Sequence, residues 1–348
     1  MKVMILAGGR GERFWPLSRR ARPKPLLALG TRDSLLRETI RRARSVAPAG
    51  SIQVVAGPML SAALRREVRG LGTAPVLVEP AARNTGPAAL LAAREIGARD
   101  PRSEILILPS DHRVTGLREF KQAVATARGL ARRGFLVTFG ITPEGPSPDF
   151  GYIVRGKRIG PSAYRVGRFV EKPRPQVARR LITREGAVWN SGMFVWRADV
   201  FLEEAAQCEP SFRRWLEVAG MGKRISPAAR RAFTGLPSIP VDRAVLERSR
   251  RVAVVTGRFG WSDLGSWSSL GPILRSQAGG NLSWGDLATP GSRNNLAVHP
   301  GGLTVLSGVR DLLVVGAGDV TLVCPRSHAG KIREILMHLE RAGFSGYL

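Results

Sequence analysis

An apolar run at residues 3–7 leads directly into a glycine-rich loop, and this junction constrains the fold more than any other stretch of the chain. The loop glycines are Gly8, Gly9 and Gly11. A short apolar run is typical of a buried strand, and glycines let backbone N–H groups close on an anion because no Cβ is in the way. The nearby cations are Arg10, Arg13 and Lys24. The junction therefore predicts a first strand followed by a loop that binds a chain of phosphates.

Two common phosphate-binding motifs do not fit this loop. No Gly-Lys-Ser/Thr follows at the spacing that a P-loop requires. A dinucleotide fingerprint starting at Gly9 and Gly11 would place Phe14 where a third, packing glycine is needed. The remaining alternative is a strand followed by an ordinary glycine turn, and the cations and prolines at 13–25 argue against it.

Length and composition bound the class of protein. With 348 residues, 43% of them hydrophobic, the chain is long enough for one large α/β domain and a smaller module. No apolar run approaches about 18 residues, and the sequence starts in a strand rather than a signal peptide, so no membrane partner is expected. Cys208 and Cys324 lack metal-type spacing. Together these features predict a cytoplasmic protein without a disulfide framework.

The formal net charge of +27 raises the question of nucleic-acid binding. Only seven of the 54 basic residues are lysines, and the 47 arginines are spread over most of the chain. No basic block carries the interleaved aromatic residues of a single-strand platform. We therefore expect non-specific attraction to polyanions but no specific nucleic-acid partner. The same charge also favours polyphosphate substrates.

Strand-like and helix-like stretches alternate through the first half of the chain. The predicted strands are residues 3–7, 52–56, 76–78, 105–108 and 135–141, and the predicted helices are 35–45, 62–69, 86–98 and 120–132. This order predicts an α/β fold with a doubly wound, mixed and mostly parallel sheet. Ligands of such sheets bind beyond the carboxyl ends of the strands. The glycine loop, residues 79–85 and residues 109–112 all lie at such ends.

The second half of the chain changes character twice. Residues 149–196 are β-rich and residues 200–248 are helical in pattern, whereas short strands with many Gly, Pro and Asn follow from 281 to 323. A final amphipathic helix is predicted at 330–341. We expect a catalytic domain at 1–275 and a small β-rich domain at 276–348. Its exposed strand edges predict a surface for homodimer formation.

Two aspartates stand at positions suited to a metal ion. Asp111 follows the predicted strand 105–108, a position where an aspartate is as often a helix N-cap as a metal ligand. Asp263 lies in a tight turn rich in glycine and tryptophan. Carboxylate oxygens with few other protein ligands suit Mg²⁺, which completes its shell with water and phosphate. Their spacing in the sequence does not show that the two side chains meet.

The signature G-G-x-G-x-R at residues 8–13, followed by Pro16 and by P-K-P at 23–25, resembles that of the sugar-nucleotide pyrophosphorylases. These nucleotidyltransferases have a Rossmann-like catalytic domain. The resemblance implies Mg²⁺ held by Asp111 and Asp263 and catalytic roles for Arg13 and Lys24. Three further elements are similar to family motifs: F-G-Y-I at 150–153, F-V-E-K-P at 169–173 and W-N-S-G-M-F at 189–194. Taken alone, F-V-E-K-P could equally be an exposed hairpin end with a solvated ion pair.

Those three motifs imply a site for a sugar phosphate. The residues concerned are Gly151, Glu171, Lys172 and Asn190. The stretch E-P-A-A-R-N-T-G-P-A at 79–88, with P-S-D-H at 109–112 and V-D at 241–242, resembles the subgroup of mannose-1-phosphate guanylyltransferases, from which Gly86, Ser110 and Arg243 depart. The nucleotide-binding residues that this implies are Ala7, Gly8, Gly9, Gly11, Glu79, Arg83, Asn84, Thr85 and Asp111.

The resemblance implies transfer of GMP from GTP to α-D-mannose 1-phosphate, with GDP-mannose and pyrophosphate as products. The departures at Gly86 and Ser110 keep open a related enzyme for another nucleoside triphosphate or hexose 1-phosphate. A homologue that retained the fold as a regulatory protein is a further alternative, which the intact set of charged residues disfavours.

Overall fold

The computed structural model describes residues 1–9, 11–222 and 224–348, which form two compact units. The first unit comprises residues 1–8, 39–110 and 114–261. The second comprises residues 9–38, 111–113 and 262–348, so that a stretch next to the N-terminus folds with the C-terminal part of the chain. The two domains predicted at 1–275 and 276–348 remain a prediction.

Sixteen strands occur in the described ranges. They are β1 (Lys2–Leu6), β2 (Ile52–Ala56), β3 (Leu77–Val78), β4 (Glu104–Pro109), β5 (Arg113–Thr115), β6 (Leu136–Ile141), β7 (Tyr152–Gly160), β8 (Ala163–Val170), β9 (Val188–Arg197), β10 (Val252–Thr256), β11 (Gly260–Ser262), β12 (Arg275–Gln277), β13 (Asn281–Ala288), β14 (Leu296–Val305), β15 (Leu312–Ala317) and β16 (Val320–Pro325). β5 and β11 form a separate two-stranded sheet.

Nine α-helices accompany the strands over the same ranges. They are α1 (Leu35–Arg44), α2 (Pro58–Glu67), α3 (Thr85–Gly97), α4 (Leu117–Arg132), α5 (Pro175–Glu185), α6 (Ala198–Cys208), α7 (Pro210–Ala219), α8 (Pro227–Phe233) and α9 (Ile332–Arg341). A single π-helical turn, Asp242–Leu246, precedes β10. Within the described residues, none of the helices combines the length and the apolar character needed to cross a membrane.

The first unit is built on a nine-stranded sheet in the order β3-β2-β1-β4-β9-β6-β10-β8-β7. β1 to β4 are parallel, and β6 is parallel to β10, whereas β9 runs antiparallel between β4 and β6. The central strands are buried almost throughout because helices cover the sheet, which explains their continuous apolar sequences. The predicted mixed, mostly parallel α/β sheet is confirmed.

The second unit contains a five-stranded sheet in the order β12-β13-β14-β15-β16. β13, β14 and β15 are parallel, and Leu282, Leu296 and Leu313 stand side by side on them. Further aromatic and aliphatic residues of this unit join that core: Phe14, Trp15, Leu27, Leu264, Trp267 and Ile332. The predicted β-rich C-terminal module is confirmed, and its core includes residues from the N-terminal signature.

Candidate active site

The three loop glycines of the signature differ in their surroundings. Gly8 and Gly9 are exposed, and a Cβ on either would meet no described atom within 4 Å. Gly11 has φ +68, and its Cβ would lie 2.1 Å from the Cβ of Lys24. A left-handed backbone and this close approach both require glycine at position 11. Gly8 and Gly9 therefore leave backbone open to a ligand, whereas Gly11 makes room for Lys24.

Lys24 begins a short 3-10 helix, Lys24–Leu26, between Pro23 and Pro25. Its side chain is only 9% exposed, and its Nζ lies 2.7 Å from Oδ2 of Asp111. The same ammonium donates to the carbonyl oxygen of Asp263 at 2.8 Å. One buried cation thus links the two aspartates that the sequence singles out, although it reaches only the backbone of the second.

Asp111 is two residues beyond the end of β4, and its side chain is 24% exposed. Burial alone would raise the pKa of its carboxyl group. The Lys24 ammonium, followed by His112, outweighs burial and holds that pKa below its usual range. Asp111 is therefore ionised at neutral pH and presents a carboxylate that is partly open to a ligand.

Asp263 lies in the tight turn that the sequence predicts. Its Oδ1 accepts a hydrogen bond from the backbone N–H of Gly265 at 3.0 Å. A Cβ on Gly265 would come within 2.4 Å of Oδ2 of Asp263, so the turn needs glycine there. Leu264 between them has φ 45, an unusual conformation for a leucine. The turn fixes the direction of the Asp263 carboxylate at the cost of backbone strain.

Arg13 lies in the 3-10 helix Glu12–Phe14 that follows Gly11, and it is half-buried. Its neighbour Phe14 packs edge-on against Trp267 with 5.1 Å between ring centroids. The Nζ of Lys24 lies 5.7 Å from the centre of the Phe14 ring. Arg13 is therefore held in the same unit as Lys24. Arg10, the other predicted cation of the loop, lies outside the described residues.

The donor set of this unit is compatible with a hard divalent cation. Asp111 and Asp263 offer carboxylate oxygens, which Mg²⁺ prefers. No group of three or more His, Cys, Asp or Glu side chains with metal-binding geometry is present in the described part of the chain. Such a site would leave most of the coordination shell to water and to phosphate oxygens, as is usual for Mg²⁺.

The four residues predicted to bind a sugar phosphate come together in the first unit. The backbone N–H of Asn190 donates to the carbonyl oxygen of Gly151 at 2.8 Å. A Cβ on Gly151 would lie 2.5 Å from Oε2 of Glu171, which explains the glycine. The Nζ of Lys172 lies 3.3 Å from Oε1 of Glu171, and the backbone of Lys172 is left-handed with φ 49.

These side chains differ in how far they are exposed to solvent. The side chain of Glu171 is 8% exposed, that of its neighbour Lys172 is 56% exposed, and Asn190 is 8% exposed. Burial is the main cause that raises the pKa of Glu171, although the Lys172 ammonium opposes it. The predicted pair in F-V-E-K-P therefore consists of a buried carboxyl group, that of Glu171, and a solvated ammonium group, that of Lys172.

Asp242 is a further residue of this cluster, although its sequence position alone does not predict a role in the site. Its Oδ1 accepts a hydrogen bond from Nδ2 of Asn190 at 2.7 Å. Desolvation, and then the nearby Glu171 carboxyl, raise the pKa of Asp242 to about 7. The only sequence signal was the Val-Asp pair at 241–242, which marked the subgroup without indicating a role.

The predicted nucleotide-binding residues of the first unit lie at the ends of β1 and β3. Ala7 is buried and donates its N–H to the carbonyl oxygen of Val55, and Glu79 donates its N–H to that of Ala56. Glu79 is 4% exposed, and its Oε2 has no hydrogen-bond partner among the described residues. Burial raises the pKa of Glu79 to about 7.

The remaining residues of that set make contacts within the protein. The Arg83 guanidinium donates to the carbonyl oxygen of Thr234, and Oγ1 of Thr85 accepts from the N–H of Val241 at 3.0 Å. Asn84 caps α3 with φ 69, and its side chain accepts from the N–H of Thr85. Arg83 and Thr85 thus hold the segment that precedes Asp242, and their binding to nucleotide remains a prediction.

Two departures from the subgroup pattern, Gly86 and Ser110, lie at buried positions. The N–H of Gly86 donates to the carbonyl oxygen of Ile239, which lies 2.6 Å from the place of a Cβ on Gly86. Ser110 is 2% exposed, and its carbonyl oxygen accepts from Oγ1 of Thr39. Packing therefore explains the glycine at 86, and nothing in the structure explains the serine at 110.

Comparisons with known proteins place the chain in a family. Residues 2–277 match the family model described as nucleotidyl transferase. A mannose-1-phosphate guanylyltransferase of Escherichia coli K12 is 34% identical over 98% of this chain and 73% of its own length. The xanthan biosynthesis protein XanB of Xanthomonas campestris, strain ATCC 33913, is 36% identical over 98% of this chain and 74% of its own length.

A solved structure resembles the whole fold. The crystal structure described as a mannose-1-phosphate geranyltransferase from Thermus thermophilus superposes with a TM-score of 0.89 at 34% identity, and the match covers 97% of this chain and 99% of that chain. The family match, the identity over nearly the whole chain and the shared fold lead to the same conclusion. The chain belongs to the nucleotidyl transferase family, among the relatives of the mannose-1-phosphate guanylyltransferases.

Proposed function

We propose that this protein is a mannose-1-phosphate guanylyltransferase that transfers GMP from GTP to α-D-mannose 1-phosphate and releases pyrophosphate. The observation that carries the proposal is the link from Lys24 to both Asp111 and the Asp263 turn. It gives the second unit a buried cation and two carboxylates next to an open glycine loop. The names of the relatives supply the identity of the two substrates.

The reaction needs no general base. The attacking group is a phosphate oxygen of the sugar phosphate, which is already an anion. Catalysis must therefore come from in-line positioning and from neutralising negative charge around the α-phosphorus. We assign that neutralisation to Lys24, whose ammonium is held in place before substrate binds, so that little reorganisation is required during the reaction.

Asp111 and Asp263 would hold Mg²⁺. When bound, the ion supplies Lewis-acid neutralisation of phosphate oxygens. Asp111 is suited to the role because its pKa is held below the usual range, so that it stays ionised. The strained turn of Asp263 presents its carboxylate in a fixed direction.

The leaving pyrophosphate carries negative charge that the signature loop can accept. The exposed backbone of Gly8 and Gly9 offers N–H donors without a side chain in the way. Arg13 adds a guanidinium, which suits phosphate geometry because it donates two parallel hydrogen bonds. We assign pyrophosphate stabilisation to Arg13 and to these two glycines.

The hexose phosphate is assigned to the cluster in the first unit. The exposed ammonium of Lys172 would bind the phosphate, and Glu171 would accept hydrogen bonds from sugar hydroxyls. The Asn190 amide would contribute a second polar contact, and the glycine at 151 leaves space for close approach. A buried carboxyl and amide that must find partners discriminate strongly against sugars that lack the matching hydroxyls.

Glu79 is assigned to the base. Guanine presents an N–H and an amino group on one edge, and a carboxylate can accept from both, whereas adenine offers no such pair. The unpartnered Oε2 of Glu79 is an acceptor that awaits a donor. Because burial raises the pKa of Glu79 to about 7, binding of the base in this way requires loss of its proton near neutral pH.

We further propose a cytoplasmic homodimer. Both cysteines are free, as expected for a reducing compartment. The C-terminal sheet carries exposed apolar side chains at Leu303, Val305 and Val323, each more than half exposed. Exposed apolar side chains on one sheet are the kind of surface that a second copy covers. Sedimentation of the purified protein tests the dimer directly.

The experiment that tests the reaction is a pyrophosphate-release assay with Mg²⁺. GTP, ATP, UTP and dTTP are each combined with mannose 1-phosphate and with glucose 1-phosphate. We expect strong release only with GTP and mannose 1-phosphate. Release with another pair would support the same reaction type with different substrates. No release with any pair would favour a regulatory protein.

A further inference from the structure

The side-chain amide of Asn190 is held from two sides. Its Oδ1 accepts from the hydroxyl of Thr138 at 2.7 Å and from the N–H of Gly192 at 3.4 Å, and its Nδ2 donates to Oδ1 of Asp242 at 2.7 Å. An amide has two N–H groups. The second N–H has no partner among the described residues, so it is the group that Asn190 can offer to a ligand.

Asp242 is itself anchored by its backbone. It is the first residue of the π-helical turn Asp242–Leu246, a rare conformation that recurs at functional sites. The preceding residue, Val241, donates its N–H to Oγ1 of Thr85, and Ile239 accepts from the N–H of Gly86. The start of α3 therefore fixes the position of the backbone that carries the Asp242 side chain.

The charges around Asp242 bear on its protonation. Glu171 and Lys172 act on it directly, and Asn190 donates a hydrogen bond to it. Glu171 in turn interacts electrostatically with Glu247 and Arg243. Oε1 of Glu247 accepts a hydrogen bond from the backbone N–H of Glu171 at 2.9 Å. An ionised Asp242 can only accept hydrogen bonds, which forces Asn190 to donate to it. A protonated Asp242 can also donate, and then it no longer requires Asn190 to donate to it.

We propose that Asp242 is a specificity-determining positioning residue, which fixes the Asn190 amide so that an N–H, and not the carbonyl oxygen, faces the hexose. The inference rests on the proposed function and adds the polarity of the sugar pocket. The pocket then presents a donor at Asn190 and an acceptor at Glu171. It selects a sugar with a hydroxyl that accepts from the first and a hydroxyl that donates to the second.

Asp242→Asn is the primary test, because it keeps the size of the side chain and removes the requirement that Asn190 donate. We expect KM for mannose 1-phosphate to rise about tenfold or more, with KM for GTP and kcat changed less than about threefold. As the pH falls through about 7, KM for mannose 1-phosphate should rise more steeply in the wild type than in the variant. The pH dependence of the substrate phosphate itself is common to both enzymes and cancels.

Thr138→Val tests the same amide from its other side, and Thr138→Ser is the matched control that keeps the hydroxyl. We expect Thr138→Val to raise KM for mannose 1-phosphate and Thr138→Ser to keep KM near the wild-type value. In the double variant Thr138→Val with Asp242→Asn, the increase in KM should be smaller than the product of the two single increases. If Asp242→Asn fails to fold, this pair carries the test.

The outcomes separate this inference from the proposed function. A wild-type protein that releases no pyrophosphate with any substrate pair contradicts the proposed function. An active wild type in which Asp242→Asn leaves KM for mannose 1-phosphate and its pH profile unchanged contradicts the role of Asp242. A set of monodeoxy mannose 1-phosphates gives the sharper readout: the penalty for one missing hydroxyl should shrink at least several-fold in Asp242→Asn.

Discussion

The Nζ of Lys24 lies 2.7 Å from Oδ2 of Asp111, and the lysine side chain is almost fully buried. The ammonium also binds the carbonyl oxygen of Asp263. A cation in this position keeps Asp111 ionised and holds the Asp263 turn at the same time. The lysine of the signature thus holds the Asp111 carboxylate and the backbone of the Asp263 turn together.

Replacing Lys24 by Met should lower kcat by roughly 10²- to 10⁴-fold, because a fixed positive charge is lost where negative charge develops. It should also lower the free energy of unfolding by about 1–3 kcal/mol, since the partly buried Asp111 loses its partner. Lys2→Met, at an exposed position of β1, is the control and should change neither. A folded Lys24→Met enzyme with wild-type kcat would contradict the assignment.

Gly11→Ala should destabilise the protein on the order of 3 kcal/mol, because it combines a left-handed backbone with a clash against Lys24. Gly9→Ala meets no described atom and should leave the unfolding free energy almost unchanged, while it weakens GTP binding at the exposed loop. Urea unfolding and GTP titration of the two variants measure these effects. Equal losses of stability would show that the two glycines do not have different roles.

Glu79 should make stability depend on pH. Its pKa is raised from 4.5 to about 7 in the folded state, so between these values the folded protein keeps a proton that the unfolded chain has released. The free energy of unfolding therefore falls as pH rises through this window. Glu79→Gln lacks this contribution, and its stability relative to the wild type should increase between pH 5 and pH 8, on the order of 2 kcal/mol. Parallel stability curves for the two proteins would exclude the effect.

We expect Glu79 also to link pH to substrate binding. If the ionised Glu79 accepts from guanine, KM for GTP should fall as pH rises through about 7 in the wild type. Glu79→Gln should raise KM for GTP, flatten this dependence and reduce the preference for GTP over ATP. A variant that keeps full base selectivity would remove Glu79 from the base site.

Asp263→Asn should weaken divalent metal binding at least tenfold, because a neutral amide replaces one of two carboxylates. Mn²⁺ titration followed by electron paramagnetic resonance measures the affinity without turnover. Asp286→Asn, at an exposed position of β13, is the matched control and should bind as the wild type does. Removal of metal with EDTA should abolish pyrophosphate release, and added Mg²⁺ should restore it. Unchanged Mn²⁺ affinity in Asp263→Asn would exclude it as a ligand.

Much of the fold follows from local patterns. Short apolar runs between amphipathic helices identified the parallel strands, because both faces of such a sheet are covered. The helix Pro175–Glu185 within the β-rich stretch was not foreseen, since its short pattern lies between two strong strand signals. The motifs around Gly151, Glu171 and Asn190 led to a cluster that the structure does contain.

Long-range packing explains what the sequence could not provide. Nothing near Trp15 indicates that its indole N–H donates to the carbonyl oxygen of Tyr347 at 2.8 Å. The role of Gly11 depends on Lys24, which approaches only in the folded chain. Asp242 lies in a helical stretch with an ordinary pattern, and its contact with Asn190 joins residues 52 positions apart. Such relations depend on tertiary structure and leave no periodic signal.

In the proposed reaction, an oxygen of mannose 1-phosphate attacks the α-phosphorus of GTP. Mannose 1-phosphate labelled with ¹⁸O in its phosphate oxygens, incubated with the enzyme, GTP and Mg²⁺, tests this directly by mass spectrometry of both products. We predict that all label is found in GDP-mannose, that pyrophosphate is unlabelled and that the two products form in equal amounts. Label in pyrophosphate, or pyrophosphate formed without GDP-mannose, would contradict the proposed reaction.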